Sequence, residues 1–89
     1  DEISADGHVH DTERINYING YLKGLKKSVL EGTDVAGYFH WSLMDNFEWA
    51  YGYTERFGLT YVDYKTQKRI LKDSAYRYNE IIRTNGADL

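Results

Sequence analysis

The chain has 89 residues, 42% of them hydrophobic and 28% charged, and a formal net charge of -3 from 11 Lys and Arg against 14 Asp and Glu. Such a length supports one modest core, burying about 60 to 65% of the surface that the unfolded chain exposes, and the mixture excludes disorder and fibrous repeats. The acidic balance leaves no basic stripe for a phosphate backbone, so nucleic acid is not an expected partner, and the absence of cysteine excludes disulfides, thiolate catalysis and sulfur-ligated zinc and fits a reducing, cytoplasmic setting.

The opening "DEISADGHVH" has no sustained period and reads as a surface loop without the pattern of a signal peptide. His8 and His10 are spaced as metal ligands can be, but solvated loop histidines are the stronger reading. From Asp11 the pattern changes. Ile15, Ile18, Leu22, Leu25 and Val29 recur at alternating intervals of three and four, which predicts an amphipathic helix over 12–31. Asp11 suits its N-cap, Glu13 its positive end, Lys26 and Lys27 its negative end, and Gly32 stops it. Gly20 and Gly24 lie inside this helix, each costing about 1 kcal/mol relative to alanine, and one of them is expected at a close packing contact.

Next comes "VAGYFHWSL", residues 35–43, apolar with little alternation, the pattern of a strand buried on both faces as in a parallel sheet. His40 falls on it as a packed residue rather than a catalyst. The loop "MDNFEWAYGYTER" follows, then "FGLTYVDY" (57–64), rich in strand formers, then the polar turn "KTQKR". A last helix begins near 72–74, carries Ala75, Tyr78, Ile81 and Ile82 on one face, and ends at Asn85 and Gly86. No apolar run reaches the roughly 18 to 20 residues of a membrane span.

Helix, buried strand, long loop with a short strand, then helix is the rhythm of an α/β protein. The buried strand has no parallel neighbour in this chain. About six large apolar side chains would lack cover, at about 1.5 to 3 kcal/mol each, a sum near the whole stability of a typical domain. Residues 1–89 are therefore expected to form one partial domain of a larger fold, without a separate linker.

Both tryptophans bracket two carboxylates in "WSLMDNFEW", Trp41 to Trp49, on the loop that leaves the strand. Functional loops follow the carboxyl ends of strands in α/β folds. A carboxylate between indoles suits a neutral sugar, whose ring face lies on an indole while Glu48 accepts from two adjacent hydroxyls. Spacing alone leaves the alternative equally open: Trp41 in the core, Asp45 and Glu48 as solvated loop acids or caps. Reading these two acids as a catalytic pair is weaker, since a retaining glycosidase needs its carboxyls about 5 to 5.5 Å apart.

The run "GYFHWSLMDNFEWAYGYTERFGLTYVDY", then "QKRILKDSA", resembles the C-terminal signature of glycoside hydrolase family 1, the β-glucosidase family. With "DTERINYINGYLKGLKKSVLEG" before it, the likeness covers essentially the whole chain. It implies the C-terminal part of a (β/α)8 TIM barrel: seventh helix, eighth strand with its long loop and a short extra strand, eighth helix. It also implies sugar-binding roles for Trp41 beneath the ring, Glu48 on the outer hydroxyls, Trp49 beside it and Phe57 closing the subsite. An acidic residue at the position of Glu48 is atypical of the 6-phospho-glycosidase branch, so neutral β-glucosides, with tolerance of galactosides or fucosides, are the implied substrates.

The chain departs from the family's catalytic motifs. It has no proline, hence no Asn-Glu-Pro acid/base motif, and Asn79-Glu80 is followed by Ile81. Neither Asn19-Gly20 nor Asn85-Gly86 is preceded by the nucleophilic glutamate, so the chain is expected to begin just past that motif. A further departure is "RILK", where the family often has proline before the lysine. The expected function is the sugar subsite of a retaining β-glucosidase, with no catalytic carboxylate, metal or cofactor of its own and the N-terminal portion of the barrel as partner. A non-catalytic carbohydrate-binding or interaction fragment is the alternative.

Overall fold

The computed structural model describes residues 1–89. Helix α1 spans Thr12–Leu30, one residue short of the span its periodicity predicts. Gly32, at φ 101°, takes the left-handed turn that stops it, and the Gly32 N–H closes on the Val29 carbonyl at 3.0 Å. Only the middle of the apolar stripe is covered. Ile18 and Leu22 are buried, Ile15 and Leu25 half-buried, and Val29 is exposed on an apolar groove shared with Val35, Tyr38 and Ile82. Gly20 and Gly24 mark no packing contact, because a Cβ at either would meet nothing within 4 Å.

The strand predicted over 35–43 does not form. Between residues 34 and 41 no backbone group bonds to another backbone group, and Phe39 and Leu43 are 96% and 71% exposed. A strand exists through its hydrogen-bonded neighbours, and the chain places none beside this segment. Only at its end does pairing begin. The Ser42 carbonyl accepts from the Leu59 N–H, and the Leu43 carbonyl from the Thr60 N–H, each at 3.0 Å.

Only the middle of the span 57–64 forms a strand, and a second short strand follows beyond it. Strand β1 (Thr60–Val62) pairs antiparallel with β2 (Arg69–Leu71), Thr60 opposite Leu71 and Val62 opposite Arg69. Between them the Asp63 carboxylate accepts from the Lys65 N–H at 3.0 Å, an Asx turn that reverses the chain.

Helix α2 (Asp73–Thr84) ends at Asn85, φ 53°, with the Gly86 N–H bonded to the Ile81 carbonyl at 2.9 Å. Its start is capped from far upstream. Asp11 makes no side-chain cap on α1; its carboxylate accepts instead from the Ser74 backbone N–H at 2.8 Å and from the Ser74 hydroxyl. A negative group at the helix N-terminus is favourable there.

The core lies where α1 and α2 meet: Ile18, Leu22, Leu59 and Ile81, flanked by Leu25, Tyr38, Ala75, Tyr78 and Leu89. It is thin. The molecule measures 47 × 32 × 18 Å, a slab with one face built around these contacts and many large apolar side chains exposed. No helix is long and apolar enough to cross a membrane.

Candidate functional site

The loop after residue 41 is placed by a close backbone approach. A Cβ on Gly58 would sit 2.3 Å from the Met44 carbonyl carbon and 2.4 Å from the Asp45 nitrogen, so only glycine lets the two segments touch. With that contact made, the Asp45 N–H reaches the Thr60 carbonyl at 3.0 Å, and Met44 bridges Thr60 in parallel register.

Asp45 is not a solvated loop acid. Its side chain is 0% exposed and ion-paired to Lys72, itself 0% exposed, at 2.9 Å. It also accepts from Arg56 at 3.0 Å and from the Gly58 and Val62 N–H groups at 3.1 and 3.3 Å. Four donors on one carboxylate satisfy the demand of burial, and they leave it no approach to a substrate. Lys72 reaches Asp1 as well, at 2.5 Å, and Arg14 joins Asp1 to Asp11 at 3.0 and 2.6 Å. Burial pushes the Lys72 ammonium below its ordinary value, an effect opposed by the Asp45 hydrogen bond. Arg56 lies over the rings of Tyr61 and Tyr64, 4.2 and 4.4 Å from their centroids.

Three residues on, Glu48 is buried, and its carboxylate is held from across the loop. The Trp41 indole N–H donates to Oε1 at 2.9 Å and more weakly to Oε2 at 3.4 Å. The Glu48 backbone closes a turn of its own, N–H to the Gly52 carbonyl at 2.7 Å, and the single 3-10 turn Trp49–Tyr51 begins at once. Trp49 projects its indole into solvent, 85% exposed, from a left-handed φ of 48°. Phe57 receives the Ser42 N–H on its carbonyl at 3.3 Å, and it lines an open depression of about 780 Å³ together with Trp41, His40, Tyr17 and Arg14.

Of the four residues predicted for the site, Trp41 and Glu48 are thus in direct contact, Trp49 adjoins Glu48 along the turn, and Phe57 and Trp41 both line the depression, which Glu48 and Trp49 do not. The supporting charges were not readable. Lys72 and Arg56 lie 27 and 11 residues from Asp45, with no local pattern to announce the contact. His40 is packed against Tyr38 and Tyr78, and burial pushes its pKa down. His10 has both ring nitrogens engaged, Nδ1 with Asp73 at 2.6 Å and Nε2 with Asp6 at 2.8 Å.

Two helices around an apolar segment that lacks ladder partners describe one section of a larger α/β barrel of the glycosidase type. A β-glucosidase from Thermotoga maritima in complex with cyclophellitol superposes on it with a TM-score of 0.95 and 53% identity, over 97% of this chain and 20% of that one. The chain belongs to glycosyl hydrolase family 1, whose family model matches residues 1–87. It is 52% identical to β-glucosidase A of Thermotoga maritima over 99% of its length, and 53% identical to a bifunctional β-D-glucosidase/β-D-fucosidase of Bifidobacterium breve over 97%. It spans about a fifth of each of these relatives, 20% and 19%.

Proposed function

We propose that this chain supplies the sugar-binding side of a retaining β-glucosidase-type active site within a complete barrel. In that barrel α1 is the seventh helix, residues 35–43 the eighth strand, now paired on both edges, and α2 the eighth helix. Neighbouring strands cover Phe39 and Leu43, which supplies the burial missing in the isolated slab.

The observation that carries this reading is the Trp41–Glu48 bond. Held at Oε1 by the indole N–H, the carboxylate is oriented before a ligand arrives, and its weaker 3.4 Å contact at Oε2 is the one a sugar hydroxyl replaces. Two adjacent outer hydroxyls then donate to Glu48. The Trp41 ring supports the apolar face of the pyranose, Trp49 stands beside the same hydroxyls and Phe57 closes the rim. A fixed carboxylate repels phosphate and accepts neutral hydroxyls, so neutral β-hexosides are the substrates. The naming of one relative as both a β-glucosidase and a β-fucosidase supports tolerance at the outer end of the sugar.

The reaction is double displacement. A nucleophilic carboxylate forms a covalent glycosyl-enzyme while a second carboxyl protonates the departing oxygen, then activates water to release the sugar. Both groups come from the rest of the barrel, and neither metal nor organic cofactor takes part. Chain alone, N-terminal barrel remainder alone and their mixture are compared on a chromogenic β-glucoside. Hydrolysis by the mixture only is the expected result. Turnover by the purified chain would overturn the reading, whereas sugar binding by it without turnover would favour a stand-alone carbohydrate-binding fragment.

A further inference from the structure

We infer that Asp45 is a positioning residue for this subsite: with Lys72 and Arg56 it fixes the loop that holds Trp41 and Glu48 in register, and so sets how strongly the outer hydroxyls are recognised. The inference rests on the proposed sugar-binding role of Glu48 and concerns what keeps that group in place.

The donors to Asp45 come from separate parts of the chain: Arg56 and Gly58 before β1, Val62 at its end, and Lys72 at the entry to α2. The carboxylate is therefore a common anchor for every segment beneath the loop. From it the constraint runs both ways along the backbone. Toward Trp41, the Ser42 hydroxyl donates to the Met44 carbonyl at 2.9 Å, and the Asn46 amide donates to the Ser42 hydroxyl and the Met44 carbonyl at 3.2 and 3.0 Å. Toward Glu48, only Asn46 and Phe47 intervene before the turn closed by the Gly52 carbonyl.

The partners cannot follow a displaced carboxylate. Lys72 is pinned by Asp1, and Arg56 is stacked on two tyrosines and donates to the Val62 carbonyl at 2.7 Å. A small shift of Asp45 is thus transmitted to the Trp41–Glu48 bond rather than absorbed below it. Misplacement of a binding group by about 1 Å is enough to weaken a transition-state contact severely.

A purely structural role and a positioning role make different demands. Lost fold lowers the amount of active enzyme and scales every substrate alike. A misplaced Glu48 penalises the substrate that uses it. The test uses a full-length barrel in which residues 1–89 replace the matching fifth of the Thermotoga maritima enzyme. The ratio of kcat/KM for an aryl β-glucoside to that for its 6-deoxy analogue is read, since active concentration cancels from it. Glu48→Gln calibrates the loss. Asp45→Asn is expected to lower the ratio at least about 5-fold in the same direction, and Arg56→Lys about 3-fold, the latter deciding the matter if Asp45→Asn does not fold. A lowered ratio in Glu48→Gln with an unchanged ratio in the variants that fold would overturn the positioning role and leave the subsite standing. An unchanged ratio in Glu48→Gln would remove the subsite, and the positioning role with it.

Discussion

The indole N–H of Trp41 donates to Oε1 of Glu48 at 2.9 Å, seven positions along the chain, so under the proposed function one residue would serve the sugar subsite twice, as a ring surface and as a hydrogen-bond donor. Trp41→Phe separates the two roles, because it keeps an aromatic face and removes the donor. A hydrogen bond to a charged group contributes about 1.5 to 3 kcal/mol. In the full-length barrel, kcat/KM for a β-glucoside is expected to fall at least about 10-fold while the melting temperature changes little.

Gly58→Ala tests the close approach beneath the loop. Its Cβ would collide with backbone at Met44 and Asp45, atoms that cannot move aside without breaking the Asp45 N–H to Thr60 carbonyl bond. Overpacking of this kind costs about 1 to 3 kcal/mol or more. The expected outcome is a lowered denaturant midpoint at an unchanged m-value, together with reduced activity.

Asp11→Ala removes the cap of α2 rather than of α1. Ser74 would lose the partner of its N–H and hydroxyl, and Arg14 one of its two carboxylates. A lost cap and an unpaired buried donor together cost about 1 to 3 kcal/mol. Hydrogen exchange should show the first turn of α2 opening more readily, with the first turn of α1 little affected.

His10 makes a pH-dependent clamp between the opening segment and α2. Asp73, then Asp6, raise its pKa above the ordinary 6.5 through hydrogen bonds to both ring nitrogens. The Ser4 hydroxyl, then His10, hold Asp6 well below the ordinary 3.8. A raised histidine pKa means stability fully present below 6.5 and lost as pH rises through the folded value. A depressed carboxylate pKa means stability present above 3.8 and lost as pH falls below it. The clamp is therefore complete between about pH 4 and 6.5. An NMR titration should place the His10 imidazole above 6.5 and show it falling in Asp73→Asn.

Both helices were legible because their signals are local: a three-four apolar spacing, with Gly32 or Asn85 and Gly86 at the ends. Residues 35–43 carry a strand pattern without strand pairing for the opposite reason. Their uniform apolarity records burial, but burial on a strand comes from neighbours, and here Phe39 lies bare. Strand β2 leaves no signal in the sequence because Arg69, Ile70 and Leu71 are too few to show a period, and only pairing with β1 defines them. In the site, the residue types of Trp41 and Glu48 were suggestive, yet their contact depends on a loop shape set by Gly58. Asp45 could not be told from a solvated acid until Lys72 was placed beside it.

The most direct measurement is the kcat/KM of the full-length barrel and its Glu48→Ala variant on a chromogenic β-glucoside. Hydroxyl contacts near the reacting ring tighten in the transition state, so removing the carboxylate should lower kcat/KM about 10- to 100-fold or more, with a fall in kcat and not only a rise in KM. Wild-type kinetics in that variant would contradict the assignment of Glu48 to the sugar subsite.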